Sequence, residues 1–357
     1  VQATDRTSGA SDALTVGQRL LPAVPLTVQQ ATLVQMEGRL DMPVQWPAQA
    51  VLGKGGLRLA FSERLADPQQ GVPGLRTWWQ RYPYSCLEQT TSRAVGLNDA
   101  DLWGSIMGRL PTYLDDDGLA MYFPLADGSR SQGSDTLTAH LLTLSHFMRQ
   151  TDPRFTLPPA EQAQMQQALI AFVTGKLQRT FWSPQQDMTA RKLSAIAALA
   201  LDGKAAPALL DSLDIDPVRW PTHSVLDWLT VLEHVQVPGR AQRQQEAWQI
   251  LRNRLAYQGT QVGFSTDAQD HWWWLMQGPD VNAARLLLAT IGQAEWDAER
   301  PRLVTGLPAR HKSGAWATTT ANLWAGRALR QLSRTYESAP VSRDTTPLLN
   351  HHPRPTA

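Results

Sequence analysis

From Val72 onward the apolar residues fall at helical spacing, and two kinds of helix alternate along the chain. One kind opens at a small polar residue and continues as a run rich in Ala and Leu. Gln89-Thr90-Thr91-Ser92, Thr138-Ala139-His140-Leu141-Leu142 and Thr189-Ala190-Arg191-Lys192-Leu193 begin the series. His223-Ser224-Val225-Leu226, Asn282-Ala283-Ala284-Arg285-Leu286 and Thr320-Ala321-Asn322-Leu323 complete a loose repeat of about six. The other kind is amphipathic, with apolar residues at i, i+3/i+4, as over Glu161 to Arg179 and Arg240 to Tyr257. Helices apolar all round belong inside and one-sided helices outside, which predicts two concentric layers. The loop ahead of each inner helix usually brings an aromatic side chain: Tyr122-Phe123, Phe181-Trp182, Trp220, Trp272-Trp273-Trp274 and Trp316. A mostly α fold follows, an α/α toroid of about six helical hairpins with these loops gathered at one end. A helical solenoid is the competing arrangement, but its repeats would be more regular in length.

The first 65 residues read differently. Leu57-Arg58-Leu59-Ala60-Phe61-Ser62 alternates with period two, and Leu26-Thr27-Val28-Gln29 does so more briefly. Gly38, Pro43, Pro47, Gly53, Gly55 and Gly56 break the stretch between them, a strand-and-turn signature. Ala66 to Gly71 reads as a linker. The expected division is a β-rich segment over 1–65, the toroid over 66–337 and an irregular or extended tail over 338–357.

Charge and composition narrow the function classes. Lys plus Arg is 33 against 32 for Asp plus Glu, which gives no electrostatic reason to expect nucleic acid or an anionic membrane as partner. No apolar run approaches the roughly 18 residues that span a bilayer. The opening Val1-Gln2-Ala3-Thr4-Asp5 has no initiator Met and no signal-like pattern, which suggests a segment of something longer. The 1 cysteine in 357 residues excludes an internal disulfide framework and a Cys-rich zinc site, and such scarcity fits an oxidising compartment. No cofactor or metal is expected.

That cysteine sits in Trp78-Trp79-Gln80-Arg81-Tyr82-Pro83-Tyr84-Ser85-Cys86-Leu87-Glu88-Gln89-Thr90-Thr91-Ser92-Arg93. A Cys and a Gln separated by two residues, in a turn entering a helix, bring Sγ toward the Gln side-chain carbonyl. The helix N-terminus is expected to favour a thiolate and to polarise that carbonyl. Attack with loss of ammonia would leave an internal thioester joining Cys86 to Gln89, helped by intramolecular placement worth up to roughly 7–11 kcal/mol. Such an acyl donor needs cover from water, and Trp78, Trp79, Tyr82 and Tyr84 are the nearby aromatic candidates.

The stretch Tyr82 to Ser92 resembles the thioester motif of bacterial α2-macroglobulins, relatives of vertebrate α2-macroglobulin and the complement proteins. Trp316-Ala317-Thr318-Thr319-Thr320-Ala321-Asn322-Leu323-Trp324-Ala325 looks like the final inner helix of that family's thioester domain, and residues 1–65 look like part of its CUB-like domain. The resemblance implies that Cys86 and Gln89 are thioester partners, Glu88 the motif acid and Tyr82 the tyrosine capping the bond. It implies a stoichiometric protease trap rather than an enzyme: cleavage of a bait region elsewhere exposes the thioester, which captures a lysine amine of the protease. Periplasmic location follows from it too, with an inner-membrane anchor through a lipidated N-terminus outside this segment. The partners it implies are proteases and the other domains of a longer chain. Two departures stand out. Ser85 occupies the position where the family usually has Gly, which would matter if φ there were positive. No histidine lies between His146 and His223 to play the acyl-directing role of the complement relatives, which favours amine over hydroxyl targets.

Other features have plainer readings. His140 and His146 read as structural, Trp272-Trp273-Trp274 as core rather than a ligand platform, and Asp115-Asp116-Asp117-Gly118 as a solvated turn rather than a calcium loop. The alternatives to a trap are a thioester-inactive periplasmic scaffold or, further off, a glycoside-processing toroid enzyme using Asp115 to Asp117, Asp127 and Asp135.

Overall fold

The computed structural model describes residues 2–15, 17, 38–44, 50–51, 53, 55–57, 59, 61–67, 72, 74–124, 132–258, 261–311, 315–337, 345–349 and 352–353. A short hairpin of β1 (Gln2–Thr4) and β2 (Ser11–Ala13) opens the chain. Then come α1 (Leu75–Arg81), α2 (Leu87–Leu97), α3 (Ala100–Met107), α4 (Asp135–Arg149), α5 (Pro159–Val173), α6 (Met188–Leu201), α7 (Thr222–His234) and α8 (Arg240–Asn253). The antiparallel pair β3 (Leu255–Gln258) and β4 (Gln261–Phe264) precedes α9 (Pro279–Thr290), α10 (Arg300–Ala309) and α11 (Thr319–Tyr336). A two-residue pairing of β5 (Leu348–Leu349) with β6 (His352–Pro353) follows.

Six of these helices close a ring. α2 packs on α4, α4 on α6, α6 on α7, α7 on α9, α9 on α11, and α11 returns to α2. They are the six Ala/Leu-rich segments of the sequence repeat. Their inner status is visible in burial: in α6, Ala190, Arg191, Leu193 and the run Ala195–Ala200 are all buried, whereas α8 buries only Ala247 and Leu251. The second layer is α3 on α2, α5 on α4 and α6, α8 on α7, and α10 on α9. The fold is therefore the expected closed double layer, with no outer α-helix after α6 or, among the described residues, after α11. Between α6 and α7 the return limb is a 3-10 turn, Pro207–Ser212, because Gly203, Pro207, Pro217 and Pro221 punctuate that connection.

All six inner helices start at the same end, and their starts are tied together. Glu88 at the start of α2 accepts from Thr319 Oγ1 at the start of α11 (2.8 and 2.9 Å), and Thr320 Oγ1 donates to the Met276 carbonyl ahead of α9. In the same Trp-rich loop, Trp274 Nε1 donates to Asp187 at the head of α6 (3.0 Å), while Asp270 accepts the first N–H of α7. Arg191 of α6 makes a two-pronged contact with Asp135 of α4 (2.6 and 3.0 Å), and the Leu87 N–H of α2 donates to the Tyr122 carbonyl ahead of α4 (2.8 Å). Polar residues at the helix starts thus divide two tasks: Ser134 and Thr318 cap α4 and α11, while Glu88, Asp135 and Asp187 join one helix start to another.

In the N-terminal segment the β1–β2 hairpin is the described strand pairing. Leu57, Leu59 and Phe61 are 50%, 48% and 48% exposed and belong to no described strand, so their alternation has no sheet face to bury. Leu26 to Gln29 and Pro47 lie outside the described residues, as do Arg58, Ala60, Asp127 and 338–344 of the tail. The chain meets the ring at Leu65 and Ala66, whose N–H groups donate to Glu337 and Ser333 near the end of α11.

Candidate functional site

The site is built where α1 breaks and α2 begins. Tyr82 precedes Pro83 and is extended (ψ 117°), which stops α1 at Arg81. Four residues later Cys86, extended at φ −66° and ψ 166°, is the N-cap of α2. A reciprocal capping box joins it to Gln89. The Gln89 N–H faces the Cys86 side chain, and the Cys86 N–H donates to Gln89 Oε1 at 3.2 Å. The other half of the Gln89 amide, Nε2, donates to the Tyr82 hydroxyl at 3.2 Å. The Cys–x–x–Gln spacing therefore brings a sulfur and a primary amide together, with a donor on the amide oxygen and a phenol on its nitrogen.

Glu88 points away from this pair. It is buried, and its carboxylate accepts from Ser92 (2.8 Å) and Thr319, so the residue next to the thiol fastens the ring's closing seam. Burial pushes its carboxyl above the usual range, against the pull of those hydroxyls.

Burial is also the leading influence on Cys86, and it raises the thiol. The backbone N–H groups of Gln89 and Glu88 oppose it, and the Glu88 charge adds to it. Desolvation thus outweighs the local donors and moves the Cys86 thiol up, against the pull of the helix N-terminus. Ser85 carries no left-handed strain, since among the described residues positive φ at a non-glycine occurs at Asn98 and Met276.

The four aromatic candidates take different stations. Tyr82 is half-buried against Trp78 (ring centroids 4.8 Å apart) and contacts the Gln89 amide directly. Trp79 is fully buried and lies on α2 at Gly96, where a Cβ would stand 2.2 Å from the indole nitrogen; it is a core residue beneath the site. Tyr84 is 63% exposed and touches Tyr82 edge-on, so it borders the site from the solvent side.

Sequence reasoning passed over two members. Tyr122 accepts the Leu87 N–H through its carbonyl, and its phenol is pushed well above the ordinary range by burial and by the nearness of Glu88 and Cys86. Thr319 supplies the hydroxyl that holds Glu88. Both stand in stretches the sequence had marked, the aromatic loop before α4 and the head of the last inner helix, but nothing in their local pattern says that they converge on residues 86–89. No histidine figures among the groups acting on Cys86.

The acidic turn is reassigned. Asp115 is buried, not solvated: it accepts from the N–H groups of Asp117, Leu119 and Gly133 and pairs with Arg179 at 2.7 Å. Asp117 joins Asp115 on Arg179 and Asp135 is held by Arg191, so three of the carboxylates a glycoside-processing reading would use are committed to ion pairs, while Asp116 is exposed. Trp272 is core, Trp274 is half-buried, and Trp273 is 65% exposed beside Trp182, so that triplet divides between core and surface. His146 Nδ1 faces Asp202 at 2.9 Å, a structural contact at the opposite end of α4.

A closed two-layer helical ring with a Cys–x–x–Gln turn at the head of an inner helix defines the class. No protein-family model matches the sequence, and no curated protein matches it. Solved structures do match the fold. The crystal structure of native α2-macroglobulin from Escherichia coli, spanning domain MG7 to the C-terminus, aligns with a TM-score of 0.54 at 16% identity, over 75% of this chain and 43% of that one. The cryo-EM reconstruction of the native E. coli protein gives 0.55 at 16% identity, over 76% of this chain and 17% of that one. The Salmonella α2-macroglobulin reacted with methylamine gives 0.53 at 17% identity, over 76% and 18%. At these identities the likeness is one of fold, the fold of the C-terminal region of bacterial α2-macroglobulins, and the chain spans less than half of each neighbour's length. The resemblance carried by residues 82–92 and 316–325 points to the same proteins.

Proposed function

We propose that this chain is the thioester-bearing part of a protease inhibitor of the α2-macroglobulin type. The observation that carries the reading is the reciprocal contact of Cys86 with Gln89, with the amide nitrogen on the Tyr82 hydroxyl.

From this geometry the bond forms in one displacement. Cys86 Sγ attacks Gln89 Cδ while the Cys86 N–H, already on Oε1, steadies the charge developing on that oxygen. The C–N bond breaks, the thiol proton passes to the departing nitrogen, and ammonia leaves past Tyr82. A neutral thiol is a poor nucleophile, so placement rather than ionisation carries the rate. Once made, the thioester acylates an incoming lysine amine, leaving an amide at Gln89 and the free thiol at Cys86. Each chain reacts once, a stoichiometric trap and not an enzyme. In the whole protein, bait cleavage by the attacking protease would trigger exposure, in the periplasm, with other domains of the chain covering the bond until then. Those domains would also slow hydrolysis, so the bond should be shorter-lived in this segment alone.

The test is incubation of the longer chain with a serine protease, followed by denaturing electrophoresis. A protease conjugate that survives denaturation and vanishes in Cys86→Ala supports the reading. Inhibition with no covalent conjugate, unchanged in Cys86→Ala, contradicts it.

A further inference from the structure

At the far end of the ring from Cys86, the second half of α11 presents Arg327, Arg330 and Arg334 along one face. Arg327 lies over the Phe147 ring, 4.5 Å from its centroid, with Nη1 toward the Phe147 carbonyl (3.4 Å). Arg330 Nη2 donates to the Val95 carbonyl at 3.2 Å. Both guanidiniums abut the last turns of α4 and α2, where helix-end carbonyls carry partial negative charge, the Val95 carbonyl accepting the Asn98 N–H as well. That charge is a fraction of what two cations require. Among the described residues neither has a carboxylate partner; the charges acting on Arg327 are those of Arg330 and Arg334, and the charge acting on Arg330 is that of Arg334. Arg327 Nε is buried with no hydrogen-bond partner. Burial and mutual repulsion pull both groups down to about 10.

The three arginines share a cleft of about 20 Å³ with Asn98, Thr151 and Gln331. A space of that size holds roughly one water-sized group. It suits an oxygen of a small oxyanion, with the rest of the ion toward solvent beside the exposed Arg334. Elsewhere in this ring buried arginines are matched: Arg179 by Asp115 and Asp117, Arg191 by Asp135. Guanidinium is the side chain whose donor fork fits carboxylate and tetrahedral oxyanions alike.

We propose that this cleft is an anion-binding site, taking the negative oxygen of a small oxyanion between Arg327, Arg330 and Arg334. The test is thermal unfolding of this chain with increasing sodium sulfate, or sodium acetate, against sodium chloride at matched ionic strength. The expected result is a saturable rise in midpoint over chloride of at least about 2 °C in millimolar oxyanion. Arg327→Met should abolish that rise. Arg334→Gln, at an exposed position that leaves the fold intact, should weaken the apparent affinity several-fold. A response to sulfate alone identifies a tetrahedral anion as the ligand, and a response to acetate identifies a carboxylate. No rise beyond chloride with either salt, or the same rise in Arg327→Met and Arg334→Gln as in the unaltered chain, overturns the proposal.

Discussion

The two ends of the ring treat the same residue type in opposite ways. Where the inner helices begin, Arg179 and Arg191 are buried and each is met by carboxylates at 2.6–2.7 Å. Where they end, Arg327 is half-buried and Arg330 buried against helix carbonyls, with no carboxylate partner among the described residues. A buried charge is costly unless matched. At the first end the matching joins the loops ahead of α4 and α6; at the second the cations meet carbonyls, the Phe147 ring and one another. The comparison teaches that polar residues buried in this ring locate the ends of helices, while the apolar surface between them holds the layers together.

That contrast can be broken experimentally. The largest effect should come from Asp135→Ala, which strands Arg191 in the interior and should cost about 3–5 kcal/mol, read from urea unfolding. Gly96→Ala should follow at about 1–3 kcal/mol, since a Cβ there meets the Trp79 indole and forces α1 off α2. In anion-free buffer Arg330→Met should change stability by less than about 1 kcal/mol, because the lost carbonyl contact is offset by removal of an unmatched cation. A cost equal to that of Asp135→Ala would erase the distinction between the ends.

The last effect is one of pH. Burial, with the charge of Arg285 secondary, holds His140 and His223 down to about 4 and about 3, whereas 6.5 is ordinary for the unfolded chain. Between these values the unfolded chain binds more protons than the folded one. Stability present above 6.5 is therefore lost as pH falls through about 4 toward 3. Denaturant midpoints recorded against pH should fall across that window, and His223→Gln should flatten part of the fall.

Much of the ring was legible in the sequence because most of its inner helices are runs rich in Ala and Leu that open at a small polar residue, a pattern that survives whatever the loops do. The six repeat segments are the six ring helices. The Cys86–Gln89 contact was legible for a similar reason: an N-cap and its third following residue meet by local geometry alone. Long-range pairings were not. Arg179 and Asp115 are 64 residues apart, and Glu88 and Thr319 are 231 apart, so the acidic turn read as solvated and Thr319 went unremarked. The upward push on the Cys86 thiol was not legible, because the sequence displays the helix N-terminus but not the burial that outweighs it. The alternation at Leu57, Leu59 and Phe61 falls in no described strand, since a period-two pattern makes a strand only where a partner strand and a covered face exist.

The central claim is a covalent bond between Cys86 and Gln89, and the intact mass of freshly purified protein tests it most directly. The account predicts a mass short of the full sequence by one ammonia, rising by one methylamine on treatment with that amine, with neither change in Cys86→Ala. A full sequence mass at the moment of purification, in this segment and in the longer chain alike, with Cys86 open to alkylation and no methylamine taken up, would contradict it.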